Sequence, residues 1–180
     1  MKGSVFNALQ EFVENNHGLE AWDTMLNTLD LPSQGIYTSS IKYDDSEMFS
    51  IVTYYCEALN VPASDLLRTF GIFLFAKLMP MAPNEAKQAP SLHAFLYMVD
   101  NLIHVEVKKL YADSNLPEFD YKDQSEQHLT MIYNSERKLC HLSEGLILGA
   151  AKHFGEEVSI SQSKCLHEGD DPCHIEVRFL

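Results

Sequence analysis

The sequence lacks the features that would tie it to a membrane or to a nucleic acid. No apolar run reaches the roughly 18 residues of a transmembrane helix, because Lys77 interrupts the stretch FGIFLFAKLM. Only 13 Lys and Arg stand against 26 Asp and Glu, which gives a formal net charge of −13. A protein that binds a phosphate backbone needs an excess of positive charge. We therefore expect no nucleic acid and no membrane among the partners.

Signals for secretion and for common enzyme classes are also missing. The amino-terminal segment MKGSVFNALQEFVENN turns acidic at once and has no signal-peptide cleavage site, so a cytoplasmic protein is expected. We find no Gly-rich phosphate loop, dinucleotide fingerprint or Ser/His/Asp signature. The acid pairs at 44–45 and 170–171 lie in predicted turns, where solvated turns or helix caps are their expected roles. The sequence does not predict an enzyme.

Periodicity divides the chain into a helical part and a mixed part. Helical spacing of apolar residues predicts helices up to about residue 111, the last of them being the long segment SLHAFLYMVDNLIHVEVKKLY. The segments QHLTMIYNS, EVSISQS and CHIEVRFL alternate with period two, and a helix, CHLSEGLILGAAKHFG, follows the first of them. A fourth strand is predicted near EFDYKDQ. The fold class is therefore α+β, with a small antiparallel sheet of about four strands in a single domain, 1–180.

One of the eight histidines, His104, lies in the longest predicted helix. At about 100° per residue it falls on the edge of that helix's apolar stripe. Such a position suits a boundary histidine that forms a hydrogen bond with a neighbour. It also suits an imidazole that is presented to a haem iron at the edge of an apolar cleft.

A Tyr-x-Ser-x-Arg motif, made of Tyr133, Ser135 and Arg137, ends the alternating segment. Side chains two positions apart on a strand point the same way, so two hydroxyls and a guanidinium are predicted to converge. Arg donates two parallel hydrogen bonds to a carboxylate or phosphate, and hydroxyls fill the remaining lone pairs. The alternative is an ordinary surface pair between Arg137 and an acidic side chain, which would be worth little.

The histidine and the motif together predict one kind of ligand. An anion-binding fork follows the imidazole by about 30 residues in a chain that is rich in Phe, Met and Leu. A flat apolar macrocycle with a central iron and two propionate carboxylates requires this set of groups. We therefore interpret the set as a candidate haem site, where the cofactor itself carries the anion.

Three of the four cysteines, Cys140, Cys165 and Cys173, lie in the mixed part of the chain, with histidines close by. Three thiolates and an imidazole would make a closed tetrahedral zinc site, although the spacing is not that of a zinc finger. Buried free cysteines that behave as small apolar side chains are the alternative.

Four motifs carry a resemblance to a known family: MKGSVFNAL at the start, HVEVKKLY after the candidate ligand, LP at 116–117 and YNSER at 133–137. With these motifs the chain resembles the haem nitric oxide/oxygen binding (H-NOX) domains, bacterial relatives of the haem domain of soluble guanylate cyclase. The resemblance covers essentially the whole chain. It implies a sensor domain with haem b between a distal helical lobe, about 1–65, and a proximal α/β lobe, about 66–180.

The resemblance also implies roles for individual residues. His104 would be the proximal iron ligand, and Pro117 would press on the macrocycle and distort it. Val5 and Leu9 would pack on the distal side. The propionates would be held by the motif residues Tyr133, Ser135 and Arg137.

Some members of that family carry zinc in the carboxy-terminal lobe, held by three cysteines and one histidine. The cysteines correspond to Cys140, Cys165 and Cys173 in this sequence. The histidine position, three residues before the second cysteine, is occupied by Gln162. His167 is the candidate that would substitute as the fourth ligand.

One position is expected to decide which gas is bound. Oxygen-binding members of the family place a distal tyrosine five residues after the motif arginine, and this sequence has Leu142 there. Without a hydrogen-bond donor, bound oxygen loses its main polar stabilisation, whereas nitric oxide binds iron with little need of it. The resemblance therefore implies a nitric oxide sensor that excludes oxygen, in which gas binding releases His104 and shifts one lobe relative to the other.

The expected partner is a separate signalling protein, since no output domain is recognised in the chain. The family precedent is a histidine kinase of a two-component system or a cyclic-di-GMP enzyme, that is, a diguanylate cyclase or phosphodiesterase. A monomer is the expected oligomeric state. Three alternatives stay open: an oxygen-binding sensor that uses another tyrosine, a small haem peroxidase, and an apolar-ligand carrier without iron.

Overall fold

Helices form the first part of the chain, and a sheet with one packed helix forms the rest. The computed structural model describes the backbone of all 180 residues and every side chain except those at positions 123 and 124. Within this described chain, no helix is both long and apolar enough to cross a bilayer. The helices before the sheet are α1 Gly3–His17, α2 Leu19–Thr28, α3 Asp45–Leu59, α4 Ala63–Leu78, α5 Asn84–Lys87, α6 Leu92–Met98 and α7 Val105–Leu110.

Several helix ends follow directly from local side-chain chemistry. Asp44 caps α3, because its carboxylate accepts a hydrogen bond of 2.8 Å from the Ser46 amide. Asn60 ends α3 in the left-handed conformation, with φ of 53°. Ser91 caps α6 by accepting from the Ala94 amide at 3.2 Å. The helix cap expected at the acid pair 44–45 is therefore confirmed.

The predicted long helix of residues 91–111 is present as one uninterrupted helical run over 92–110, but it is not α-helical throughout. A π-helical segment, Val99–His104, separates α6 from α7. A π-turn inserts one residue relative to the α-helical register, so the side chains that follow are rotated by about 100°. The apolar stripe of α6 therefore does not continue straight into α7, and the rotation sets the direction of His104.

The four-stranded antiparallel sheet is confirmed. Its strand order is β1-β2-β4-β3, and every neighbouring pair is antiparallel. The strand expected near EFDYKDQ is present as the first of them, so the α+β assignment is also confirmed. The elements of this part are β1 Glu118–Ser125, β2 His128–Asn134, α8 Cys140–Phe154, β3 Val158–Lys164 and β4 Cys173–Phe179.

Two hydrophobic core clusters meet along α4 and α8. The first is built on α1 to α4 and reaches along α4 as far as Leu74. The second begins at Phe75 and includes α6, the inner face of the sheet and part of α8. The boundary between the two clusters therefore lies between Leu74 and Phe75 of α4. The division of the chain into lobes near residue 65 stays a prediction.

Helices α4 and α8 cross at glycines, which brings their backbones into contact. A Cβ atom on Gly145 would lie 2.1 Å from the carbonyl oxygen of Arg68 and 2.8 Å from the Cα of Gly71. An ion pair of 2.7 Å between Arg68 and the buried Glu144 lies at the same crossing. Because both helices contribute to both cores, this close approach determines how the two halves of the molecule are joined.

Replacing Gly145 with alanine is expected to lower the free energy of unfolding by about 1–3 kcal/mol or more, since the added methyl group has no space. Chemical denaturation followed by circular dichroism would measure the change. Lys152→Ala, on the exposed side of the same helix, is the matched control and should be nearly neutral. An unchanged midpoint for Gly145→Ala would show that the helices separate without cost.

Candidate functional site

A cavity of about 870 Å³ lies between the helical part and the sheet part of the molecule. Its volume falls in the range of pockets that enclose a whole cofactor. Apolar side chains dominate the wall, including Phe75, Leu96, Ile103 and Leu146. Most apolar residues of the π segment and α7 are not fully buried by protein and line the cavity instead: Val99, Leu102, Ile103, Val107 and Leu110. The fold therefore presents an apolar surface that a ligand would cover.

His104 lies in the wall of this cavity, with 14% of its side chain exposed. Its Nδ1 atom is 3.1 Å from the Asp100 carboxylate, one turn earlier in the π segment. Burial lowers the pKa of His104, and the hydrogen bond to Asp100 opposes that effect. A neutral imidazole that donates from Nδ1 keeps the Nε2 lone pair free for a metal. The residue is thus suited to bind iron.

Pro117 and Phe119 form the wall beside His104. Both residues line the cavity, and the Phe119 ring centroid is 6.0 Å from that of His104. Pro117 lies just before β1, so its rigid ring is placed at the start of the sheet. The structure therefore brings together Pro117 and His104, as expected for residues that contact one ligand.

The Tyr-x-Ser-x-Arg motif is arranged differently from the sequence prediction. Strand β2 ends at Asn134, so the alternation does not extend to Arg137, and the prediction of one shared strand face is wrong. A turn follows the strand, and in it the Ser135 hydroxyl accepts from the Arg137 amide at 3.3 Å. Within the described residues, Arg137 is the motif member that lines the cavity.

Tyr133 lies behind the wall rather than in it. Its side chain is only 1% exposed, and its hydroxyl accepts a hydrogen bond of 2.9 Å from the Leu139 amide. Burial raises the pKa of Tyr133, and a hydrogen bond with Ser135 opposes the rise. The tyrosine therefore fixes the turn that carries Arg137 to the cavity.

The guanidinium of Arg137 already holds a carboxylate. Its Nε and Nη2 atoms lie 2.5 and 3.1 Å from the two oxygens of Asp45, and Nη1 donates to the carbonyl of Asn115. The Met1 ammonium is 2.5 Å from the same carboxylate. Burial would raise the pKa of Asp45, but the hydrogen bonds from Arg137 and from the terminal ammonium outweigh it and lower the pKa. Sequence reasoning missed Asp45, because nothing local marks a pair 92 positions apart.

The residues expected on the distal side are divided by the structure. Val5 lines the cavity. Leu9 is 2% exposed inside the first core cluster, and Leu142 packs against that cluster. Within the described residues, the wall of the cavity contains neither of these two leucines. The α8 residues that line it are Ser143, Leu146 and Ile147. Sequence reasoning missed these three, although their spacing on one helix face could have indicated them.

The three cysteines Cys140, Cys165 and Cys173 are buried together in a second site. Their sulfur atoms all lie within 4.8 Å of one another, and those of Cys140 and Cys165 are 3.9 Å apart. A tetrahedral zinc with Zn–S distances of 2.3 Å would hold its sulfurs about 3.8 Å apart. Burial raises the pKa of Cys140 and of Cys173. The geometry of the thiols therefore fits a tetrahedral metal.

A tetrahedral metal at the three thiols would need a fourth ligand, and three polar side chains lie nearby: Gln162, His141 and His167. Gln162 donates to Glu144 at 2.8 Å, and its Oε1 atom is buried without a protein partner among the described residues. His141 and His167 stack with ring centroids 5.4 Å apart. One nitrogen of each lies within 4.8 Å of the Cys140 sulfur and of the other. The structure therefore brings two histidines to the edge of the thiol cluster.

Comparisons with known proteins agree with the geometry of the cavity. A family model described as Haem-NO-binding matches residues 2–162 of the chain. An H-NOX protein from S. oneidensis, solved in the Fe(II)NO ligation state, is 32% identical, with a TM-score of 0.92 over 100% of this chain and 99% of that one.

Other solved structures give the same result. A mutant of an H-NOX protein from S. oneidensis in the Fe(II) state has a TM-score of 0.93 at 32% identity, covering 100% of this chain and 96% of that one. The Fe(II) unliganded H-NOX protein from K. algicida has a TM-score of 0.92 at 30% identity, covering 100% and 97%. A cavity walled by a histidine and apolar side chains, within a fold shared over its whole length with these proteins, places the chain in the haem-NO-binding (H-NOX) family of haem-binding gas-sensor domains.

Proposed function

We propose that this chain senses nitric oxide at a ferrous haem b and excludes oxygen. The observation that carries the proposal is the chemistry of the wall contributed by α1, α4 and α8. Apart from the hydroxyls of Ser4 and Ser143, the side chains that these helices bring to the described wall are apolar and offer no hydrogen bond to a bound gas: Val5, Phe75, Leu78, Leu146 and Ile147. Bound oxygen would lack polar stabilisation there, whereas nitric oxide does not depend on it.

The tyrosines of the chain support this choice of gas. In the part of the chain with described side chains, α1, α4 and α8 bring no tyrosine to the cavity. Tyr55 donates to the Ala21 carbonyl at 3.0 Å, and Tyr97 stacks on Tyr121 at 4.7 Å. Tyr111 does line the cavity, but it directly follows α7, the helix that continues from His104. An oxygen-binding sensor is therefore the less favoured alternative.

Ser143 carries the one hydroxyl that α8 brings to the described wall. Its oxygen lies 3.5 Å from the Leu139 carbonyl in the preceding turn. A serine in that position bonds within its own helix, which directs the hydroxyl proton away from the cavity. The same wall has no acid or base side chain from α8, because Glu144 pairs with Arg68 behind it. A peroxidase would need such a group, so the sensor is favoured over that enzyme.

Haem, held by His104, would supply an iron that binds the gas. The chain's own part in signalling is the movement of His104. An imidazole released from a metal would keep its hydrogen bond to Asp100, so the π segment would move with it. Because α6 and α7 continue from that segment, the movement would be passed to the sheet part of the molecule. The free energy available is the difference in gas affinity between the two conformations.

The signal would be read by a separate protein, either a histidine kinase or a cyclic-di-GMP enzyme. The family precedent and the acidic charge of −13, which favours a basic face on the partner, support this assignment. The cytoplasmic location and the monomeric state also stay predictions.

A zinc ion is proposed for the thiol site, with a structural role. The sulfur spacing of Cys140, Cys165 and Cys173 supports it, as does the arrival of His167 beside them. His167 would complete a Cys₃His set in place of Gln162, after giving up its hydrogen bond to the Lys138 carbonyl. The ion would join the start of α8 to β4.

Absorption spectroscopy of the reduced protein in air, and then with nitric oxide, tests the proposed function. We expect a Soret band that air does not change and that nitric oxide shifts to the position typical of a haem without its histidine ligand. A stable spectrum of the oxygen complex would show that the choice of gas is wrong. Turnover of hydrogen peroxide would support the peroxidase instead, and a colourless protein after expression with added haem would support the iron-free carrier.

A further inference from the structure

One rim of the cavity carries an unexpected concentration of positive charge. Among the described residues, the Lys and Arg side chains in the cavity lining are Lys2, Lys42 and Arg137. Lys2 and Lys42 both bind Asp113, and Arg137 donates to the carbonyl of Asn115, two residues further along. These shared contacts place the three cations along one edge. In so acidic a chain, such an edge suits a ligand with more than one negative charge.

Arg137 alone cannot hold two carboxylates. A guanidinium has five N–H donors, and three of them are already directed at Asp45 and at the Asn115 carbonyl. The remaining two suffice for one carboxylate in the usual paired geometry. Haem presents two carboxylates on one edge, and the motif residues Tyr133 and Ser135 offer hydroxyls but no positive charge. A second cation at the rim would therefore balance the charge of the second carboxylate.

Lys2 lies where such a second cation is required. Its side chain is 18% exposed, and its Nζ lies 3.0 Å from Asp113 Oδ1 and 3.1 Å from the Ser40 carbonyl. The same ammonium is 4.6 Å from the centroid of the Tyr111 ring, a distance at which a cation is attracted to the ring face. These contacts hold the ammonium in one position at the rim, already bound to a carboxylate.

The carboxylate of Asp113 can leave the Lys2 ammonium when another carboxylate binds there. Its side chain is 55% exposed, so it can be solvated by water when it leaves. The pair joins an ammonium to a carboxylate at 3.0 Å, and the hydrogen bond from Lys2 lowers the pKa of Asp113. Exposed ion pairs of this kind are weak. A ligand carboxylate that approaches from inside the cavity can therefore compete for the ammonium.

We propose that Lys2 binds the second carboxylate of the haem, in exchange with Asp113. Arg137 then receives one carboxylate and Lys2 the other. Asp113 orients the ammonium before the cofactor arrives. This inference depends on haem binding, which the family membership establishes, and is independent of which gas the haem binds.

The test compares haem loss for Lys2→Gln and the unaltered protein, each loaded with haem or with haem dimethyl ester, whose carboxylates carry no charge. Transfer to an excess of a haem-scavenging protein gives the rate. We expect Lys2→Gln to lose natural haem about tenfold faster, as for the loss of one charge-assisted hydrogen bond. The ester should leave both proteins at similar rates. Lys2→Arg should restore slow loss of natural haem.

Two further variants separate this binding role from a purely structural one. Lys77→Gln removes another ion-paired lysine, which bonds to Glu11 away from the described cavity wall, and should change neither rate. Asp113→Asn removes the competing carboxylate and should not accelerate haem loss.

The proposal would be overturned by three results. One is an equal acceleration of both haems by Lys2→Gln, which would mean that the lysine only stabilises the fold. The second is no acceleration of either. The third is a rapid loss of haem from Asp113→Asn that matches Lys2→Gln. The Soret band of the unaltered protein reports haem binding itself in the same samples, so a failure of haem binding would be recognised separately.

Discussion

His104→Gly is expected to yield a protein that folds but retains little haem through purification. His104 is the histidine in the described wall of the cavity. Without it, the haem would be held by apolar contacts and the iron would have no bond to the protein. Ligation fixes the position of the iron, so its removal should affect retention far more than any single apolar contact. The ratio of Soret to protein absorbance measures the effect. Free imidazole, added at millimolar concentration, should restore the band by entering the space that the side chain left.

The matched control for this experiment is His93→Gly. That histidine lies on α6 and contacts Tyr97 and Phe179, away from the described cavity wall. The two substitutions carry the same cost of placing glycine in a helix, about 1 kcal/mol. His93→Gly should therefore lose some stability and keep its haem. Full retention of haem by His104→Gly, without imidazole, would contradict the assignment of His104 as the iron ligand.

Gln162→His is expected to raise the zinc affinity of the thiol site by about 100-fold. Structural zinc sites with four ligands have apparent binding free energies of roughly 10–16 kcal/mol, so one ligand accounts for roughly 3 kcal/mol. In the present structure Gln162 donates to Glu144 beside Cys140 and offers no nitrogen lone pair. An imidazole there would meet the three sulfurs directly. Competition with a chromophoric chelator would measure the affinity.

Two comparisons make the zinc result interpretable. Gln127→His, between β1 and β2, adds a histidine far from the thiols and should leave the affinity unchanged. His167→Ala should weaken zinc binding in the unaltered protein but not in Gln162→His, because the new ligand replaces it. If Gln162→His binds zinc no more tightly than the unaltered protein, then either the site is already complete or the thiols do not hold zinc.

The elements of the fold could be predicted because their signals are local. The cap at Asp44 and the alternation of the strand segments depend only on near neighbours. The π segment could not be predicted, since one inserted residue leaves a helical pattern almost unchanged. Its effect appears only in the direction of the side chains that follow, among them His104.

The site was predictable in its residue types and less so in its arrangement. His104, Arg137 and Val5 do line the cavity, as their assigned roles require. The pair between Arg137 and Asp45 joins residues 92 positions apart, so no local pattern indicates it. The prediction that the strand continues past Asn134 failed at Ser135. The hydroxyl of this serine accepts a hydrogen bond from the amide two residues ahead, which is typical of a turn. Long-range pairing and turn geometry therefore set the limits of what the sequence reveals.

The glycine crossing of α4 and α8 has a consequence for how such a protein could change its gas preference in evolution. The two backbones touch at Gly71 and Gly145, so neither helix can slide or tilt without the other. Phe75, Leu146 and Ile147 are therefore carried to the cavity on a single stiff support. New selectivity would have to come from exchanging one of these side chains for another of similar size. The glycine contact between α4 and α8 can therefore stay the same while substitutions among the cavity side chains change which gas is preferred.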